Sequence, residues 1–132
     1  KVNLEIFKDC KKIKTIFFIK EGNSRMIESL TKKGIKIFIL KKKDYNLTKI
    51  LEILAKLGIS NLLVEGGAKI FSSFILEKLC DEILLFQSNF FIGNCGETIL
   101  KSNDLSLLKN KFKLKKTINL DNNILSIFEN SN

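Results

Sequence analysis

The sequence predicts an α/β fold with a mixed sheet, parallel at its centre and antiparallel at a C-terminal hairpin, with helices on both faces. Three observations predict it. Apolar β-prone runs alternate with helix-periodic segments through residue 79, the pattern of right-handed crossovers onto a parallel sheet. Two glycines stand where a strand runs directly into a helix, at Val64-Glu65-Gly66-Gly67-Ala68. Residues 112–128 alternate apolar and polar side chains around Asp121-Asn122-Asn123, as a β-hairpin does.

The elements follow in order. Thr15 to Ile19 is a short continuous apolar run, expected as a strand buried on both faces. Gly22-Asn23-Ser24 supplies capping residues, and Met26, Ile27 and Leu30 give a helix that stops at Gly34. Ile35 to Leu40 is a second strand, followed by a polar loop over Lys41 to Asp44. Asn46 caps a second helix, where Leu47, Ile50, Leu51, Leu54 and Leu57 keep helical spacing up to Gly58. Leu62-Leu63-Val64 is expected as a third strand. Ala68 to Leu79 then forms a third helix with Ile70, Phe71, Phe74 and Ile75 as its apolar stripe. Glu82 to Ile92 reads as a long strand able to bury both faces, and a loop through Asn94, Cys95 and Gly96 leads towards the hairpin.

The 132 residues match one domain or the larger part of one, and 45% of them are apolar, enough for a packed core. No run approaches the roughly 18 to 20 apolar residues that span a bilayer, so no membrane partner is expected. No basic patch followed by an apolar run marks a signal peptide. The chain opens on Lys1 and not Met, and is expected to be cut from something longer.

Cys10, Cys80 and Cys95 are irregularly spaced and there is no histidine, which argues against zinc or any other metal site. Scattered thiols suit a reducing cytoplasm. The lack of histidine also excludes Ser–His and Cys–His catalysis. The net charge of +9 raises the question of nucleic acid. Arg25, however, is the sole arginine, and the lysines are spread along the whole chain. Base readers and phosphate clamps favour the bidentate arginine fork, so no nucleic-acid partner is expected.

Chemistry concentrates at the double glycine. Ligands of open α/β sheets collect beyond the carboxyl ends of strands, and the first turn of a helix has unpaired N–H groups with a partial positive charge. Glycines there let a diphosphate approach the backbone. A dinucleotide pyrophosphate could rest on the amides from Gly67 into the helix, with Ser72 and Ser73 one turn further on. A tight turn that merely needs small residues explains the glycines equally well, because a lone pair of glycines is a weak motif. Glu65 either projects into the cleft towards a polar substrate or is held by the adjacent helix N-terminus. A carboxylate beside a phosphate is unfavourable, which favours a substrate-facing role.

Other residues carry less. Lys41, Lys42 and Lys43 follow a strand end and could meet a 2′-phosphate, although a solvated loop is the commoner outcome for such a run. Lys69 either neutralises a cofactor or is an exposed helix position. Cys95 has no basic neighbour to make it a nucleophile. Tyr45 could donate a proton, but nothing near it in sequence argues for that.

Residues 62 to 93, LLVEGGAKIFSSFILEKLCDEILLFQSNFFIG, closely resemble the reductase domain of bacterial riboflavin-biosynthesis enzymes. In that family a strand ending in VEGG or VEAG enters a helix with an FL pair, and a VDEL-like strand follows. Here Phe74-Ile75-Leu76 holds the FL position and Cys80-Asp81-Glu82-Ile83 the VDEL position. The resemblance implies a dihydrofolate-reductase-like fold and NADPH-dependent reduction of 5-amino-6-(5-phosphoribosylamino)uracil to its ribityl product. It implies substrate contact at Glu65. It implies cofactor contacts along the turn and helix start, at Gly66, Gly67, Ala68, Lys69, Ile70, Phe71, Ser72 and Ser73. The family's reductase domain begins with further strands that are not seen before Lys1. Residues 1–132 are therefore expected to be that domain without its N-terminal strands, self-associating as a homodimer through a sheet edge. A dihydrofolate reductase proper is the competing enzyme reading. A basic nucleic-acid-binding module is the competing reading of another class.

Overall fold

The computed structural model describes residues 5–93, 96, 98–100 and 111–131. They fall into two compact units, divided between Asn61 and Leu62.

In the first unit, β1 (Ile16–Ile19) and β2 (Lys36–Ile39) pair in parallel with Ile16 opposite Lys36 and Ile19 opposite Ile39. The crossover between them is α1 (Ser24–Lys32). Its start is set by Asn23, an extended residue whose Oδ1 accepts a hydrogen bond from the Met26 amide at 2.7 Å. Its end is a Schellman turn. The Ile35 amide donates to the Leu30 carbonyl and the Gly34 amide to that of Thr31, with Gly34 at φ 88°. The same two devices bound α2 (Leu47–Lys56): Asn46 accepts from the Lys49 amide at 2.8 Å, and Gly58 closes the far end.

Successive residues of a strand point to opposite faces, and the core follows from this. Phe17 and Ile37, directly opposite each other, pack against the buried set Phe7, Cys10, Leu30 and Ile35. Phe7, in a short 3-10 turn (Glu5–Phe7), meets Phe17 edge to face at 5.5 Å. Phe18 and Phe38 stack on each other at 5.3 Å. The run expected to be buried on both faces is thus half-buried along its whole length.

The second unit holds α3 (Ala68–Leu76) and an antiparallel sheet. Its strands are β3 (Glu82–Gln87), β4 (Phe112–Leu120) and β5 (Asn123–Asn130), in the order β3-β5-β4. A two-residue loop, Asp121-Asn122, joins β4 to β5, and Asp121 takes φ 54° as a tight hairpin needs. A bulge sets Lys115 out of register, and its ammonium lies 3.2 Å from Glu129 and 3.6 Å from Glu82. Asn130 ties the end of β5 to the start of β3, its amide donating to the Asp81 carbonyl and its Nδ2 to that of Cys80.

The α/β class with a parallel pair and an antiparallel C-terminal hairpin is present. Three local expectations are corrected. Leu62-Leu63-Val64 joins no ladder among the described residues, and Leu63 is 70% exposed. β3 stops at Gln87, and only Ile83 and Leu85 gain cover while Leu84 and Phe86 face outward. A strand needs both faces packed to bury a continuous apolar run, and here one face is packed. α3 ends at Leu76, because Lys78 at φ 59° turns the chain into a third Schellman turn, with the Leu79 amide on the Phe74 carbonyl. The loop through Asn94 and Cys95 lies outside the described residues.

Candidate functional site

The double-glycine turn opens α3 directly. Gly67 is the N-cap residue, at φ −78° and ψ 173°, and no side chain caps the helix. The Ile70 and Phe71 amides both donate to the Gly67 carbonyl. The amides of Ala68 and Lys69 have no hydrogen-bond partner among the described residues. No acidic residue occupies the first turn, so nothing in the helix offsets its positive end.

The two glycines differ in what requires them. A Cβ on Gly66 would lie 2.9 Å from Ile70 Cδ1 and 3.2 Å from Ile70 Cβ, so a side chain there would make the half-exposed Ile70 side chain shift. A Cβ on Gly67 would meet nothing within 4 Å, and its φ is ordinary. Intramolecular sterics therefore leave the space over Gly67 open, in front of two unpaired amides.

The remaining expected site residues distribute by helical phase. Glu65 and Lys69 are exposed, flanking the turn, and Ala68 is half-buried. Ile70, expected in the apolar stripe, covers Gly66 and is 48% exposed. Phe71 is half-buried, and Ser72 is buried in the packed face with Ile75. The Ser73 hydroxyl donates to the Lys69 carbonyl at 2.9 Å. The turn thus gathers Glu65, Gly66, Gly67, Ala68 and Lys69 at one helix end, while Ser72 and Ser73 make their contacts within the protein.

In the first unit, the Tyr45 hydroxyl donates to the Phe18 carbonyl at 3.2 Å, so that proton is already engaged. The Lys20 ammonium lies 4.9 Å from the centre of the Tyr45 ring. Sequence reasoning missed this pairing, because neither residue has a local signal for the other. Lys41 precedes, and Lys42 and Lys43 occupy, a 3-10 turn (Lys42–Asp44), and all three are exposed. Cys10 is buried and Cys80 half-buried, and each thiol donates to a backbone carbonyl. Burial, and then the Asp81 charge, push the Cys80 thiol pKa above its ordinary value. Among the described residues no group of three or more His, Cys, Asp or Glu could hold a metal ion, and no helix is long and apolar enough to cross a membrane.

Known proteins resemble the chain over nearly its whole length. Residues 3–126 match the family described as the RibD C-terminal domain. The riboflavin biosynthesis protein RibD of Aquifex aeolicus is 34% identical over 118 residues, spanning 87% of this chain and 32% of that protein. The 2,5-diamino-6-ribosylamino-4(3H)-pyrimidinone 5′-phosphate reductase of Archaeoglobus fulgidus is 35% identical over 77 residues, spanning 53% of this chain and 35% of that protein. The chain thus spans about a third of the length of these curated relatives. Among solved structures, Acinetobacter baumannii RibD superposes with a TM-score of 0.79 at 20% identity, over 99% of this chain and 34% of that one. A pyrimidine reductase-like protein of Corynebacterium diphtheriae gives 0.79 at 12% identity, over 100% of this chain and 57% of that one. With a family match running nearly end to end over the same fold, the chain belongs to the RibD C-terminal domain family.

Proposed function

We propose that this chain is the cofactor-binding part of a reductase of riboflavin biosynthesis, using NADPH to convert 5-amino-6-(5-phosphoribosylamino)uracil to its ribityl product. The observation that carries the proposal is the open space over Gly67 in front of the unpaired amides of Ala68 and Lys69. The residues fit a diphosphate: backbone donors and a helix positive end favour it, and Lys69 adds a nearby cation. Gly66 to Ser73 form the turn and helix start that hold the cofactor. Gly67, Ala68 and Lys69 supply the backbone contacts; Ile70, Phe71, Ser72 and Ser73 fix the helix that presents them. When bound, NADPH supplies the hydride that, with a proton, reduces the ribosylamino group.

Glu65, exposed at the entry to the turn, is the substrate contact: its carboxylate accepts hydrogen bonds from the polar pyrimidine or sugar and orients it. The name of the Archaeoglobus relative, a ribosylamino-pyrimidinone 5′-phosphate reductase, supports that substrate class. The enzyme is proposed to work in the cytoplasm as a homodimer joined through a sheet edge. β3, an outer strand of its sheet with Leu84 and Phe86 exposed, offers such an edge.

The test is NADPH consumption with the phosphoribosylaminouracil by the natural protein and its Glu65→Gln variant. The expected result is turnover in the parent and a loss of kcat/KM on the order of tenfold or more in the variant, with NADPH affinity kept. A parent that binds NADPH but reduces no ribosylamino-pyrimidine would contradict the substrate assignment.

A further inference from the structure

The basic excess of this protein lies in one of its two units. The residues before Leu62 hold fifteen lysines and arginines against six acidic residues, and those from Leu62 onwards hold eight against eight. The whole net charge of +9 therefore belongs to the first unit. Charge divided so unevenly points to an anionic partner for the basic part.

At the amino end of the parallel pair this charge is combined with exposed apolar side chains. Residues 5–14 run ahead of β1 and are fixed from inside. Phe7 and Cys10 are buried with Leu30 and Ile35, and the Cys10 thiol donates to the Ile6 carbonyl. The Lys12 and Ile13 amides both donate to the Asp9 carbonyl at 2.8 Å. The segment lies against the turn that ends α1, where a Cβ on Gly34 would stand 3.3 Å from the Cys10 carbonyl oxygen and 3.8 Å from Lys11 Cα. The Lys36 amide donates to the Thr15 carbonyl, and the Lys33 ammonium lies 5.8 Å from the centre of the Phe7 ring. Lys8, Lys11, Lys12, Lys14, Lys33 and Lys36 thus share this end, and residues 5–15 set only Glu5 and Asp9 against them.

With Phe7 and Cys10 turned inward, Ile6 and Ile13 are turned out, 61% and 65% exposed beside the exposed Lys8, Lys11, Lys12 and Lys14. A single exposed isoleucine is ordinary. Two on one short lysine-rich segment match the pattern of proteins that rest in a lipid headgroup layer. A single-stranded nucleic acid would be met by exposed aromatic rings, and the one aromatic residue of this segment, Phe7, is buried.

We propose that residues 6–14 seat the protein on an anionic phospholipid surface, with Ile6 and Ile13 entering the headgroup boundary and the lysines meeting lipid phosphates. The seat is on the surface: among the described residues no helix is long and apolar enough to cross a membrane. The negative leaflet attracts each ammonium group, and the isoleucines lose contact with water. Because Phe7 and Cys10 already hold the segment, docking orders little further chain. This surface is independent of the proposed reduction chemistry.

Co-sedimentation with vesicles tests the proposal, using neutral phosphatidylcholine and the same lipid with about a third phosphatidylglycerol. The variants are Lys11→Ala with Lys12→Ala, Ile13→Ser, and Lys42→Ala with Lys43→Ala, which removes the same charge from beyond the other end of β2. Circular dichroism like the parent's establishes that each is folded. The expected result is binding to the anionic vesicles and none to the neutral ones. Loss of Lys11 and Lys12 weakens it roughly 25-fold, about fivefold per lysine. Ile13→Ser weakens it on the order of fivefold, and the Lys42 and Lys43 pair leaves it unchanged. No binding to anionic vesicles overturns the proposal. Equal losses in the two double-lysine variants reduce the effect to net charge, and an undiminished Ile13→Ser protein reduces it to adsorption without insertion; either overturns it. So does tighter binding to an unrelated duplex oligonucleotide, weakened by the loss of Lys11 and Lys12 and not by Ile13→Ser.

Discussion

Gly66 lies under Ile70: a Cβ built on the glycine stands 2.9 Å from the isoleucine Cδ1 and 3.2 Å from its Cβ, whereas one on Gly67 touches nothing. One glycine serves the fold and the other leaves room in front of the helix. Gly66→Ala should therefore destabilise the protein by roughly 0.5–1.5 kcal/mol, the cost of pushing the half-exposed Ile70 side chain off its rotamer. Ile70→Ala in the same chain should recover part of that loss in a double-mutant cycle. Gly67→Ser, which adds a Cβ and keeps a favourable N-cap residue, should not lower stability. Urea denaturation midpoints check all of these, and equal losses at the two glycines would contradict the division of roles.

The two asparagine caps are independent. Asn23 and Asn46 each satisfy one helix-start amide, at 2.7 and 2.8 Å. Each replaced by alanine should cost about 1 kcal/mol, and the double variant should lose the sum, because the caps share no partner. Urea titration of the three variants tests this, and a double variant no worse than either single one would refute it.

Lys78 stands at φ 59° where α1 and α2 have glycine, at φ 88° and 80°. A non-glycine residue is disfavoured there by roughly 1–2 kcal/mol, partly offset by the freedom glycine gains in the unfolded chain. Lys78→Gly should raise stability by roughly 0.5–1 kcal/mol. Gly34→Ala should lower it, since the added Cβ would also sit 3.3 Å from the Cys10 carbonyl oxygen. Thermal melts decide the matter, and a lower midpoint for Lys78→Gly is the contrary result.

The Cys80 thiol is held protonated mainly by burial and next by Asp81, against a hydrogen bond at Glu82. Its pKa in the folded protein exceeds that in the unfolded chain, so its contribution to stability is full below about pH 9 and declines as pH rises above that. Alkylation of Cys80 near pH 8.5, roughly the pKa of a free thiol, should be slower in the folded protein than in urea. Peptide mapping after timed iodoacetamide treatment reads this, and an equal or faster folded rate would contradict it.

How much of this was legible in the sequence depended on how local the signal is. The starts of α1 and α2 and their glycine ends could be placed because a cap is written in adjacent residues: Asn23 and Gly34, Asn46 and Gly58. The end of α3 was read too late because lysine fills the position that glycine normally marks. The hairpin was legible from its alternation and turn. Leu62-Leu63-Val64 has strand composition, but composition does not show whether a neighbouring strand is available to pair with it. At the site, the turn and Glu65 could be named. The different reasons for the two glycines could not, since they rest on where the Ile70 side chain folds back. The Lys20–Tyr45 pairing was equally hidden, its anchor being a hydrogen bond between residues 27 apart.

In the proposed reductase, the cofactor's pyrophosphate rests on the turn at Gly67. Calorimetric titration of NADPH into the parent chain and a Gly67→Asp variant tests it most directly. The aspartate would put a side chain and a negative charge into the open space without clashing with the protein. Saturable binding in the parent, lost in a variant whose urea midpoint is kept or raised, as an aspartate N-cap would do, is the predicted result. Undiminished NADPH binding by the folded Gly67→Asp protein would contradict it.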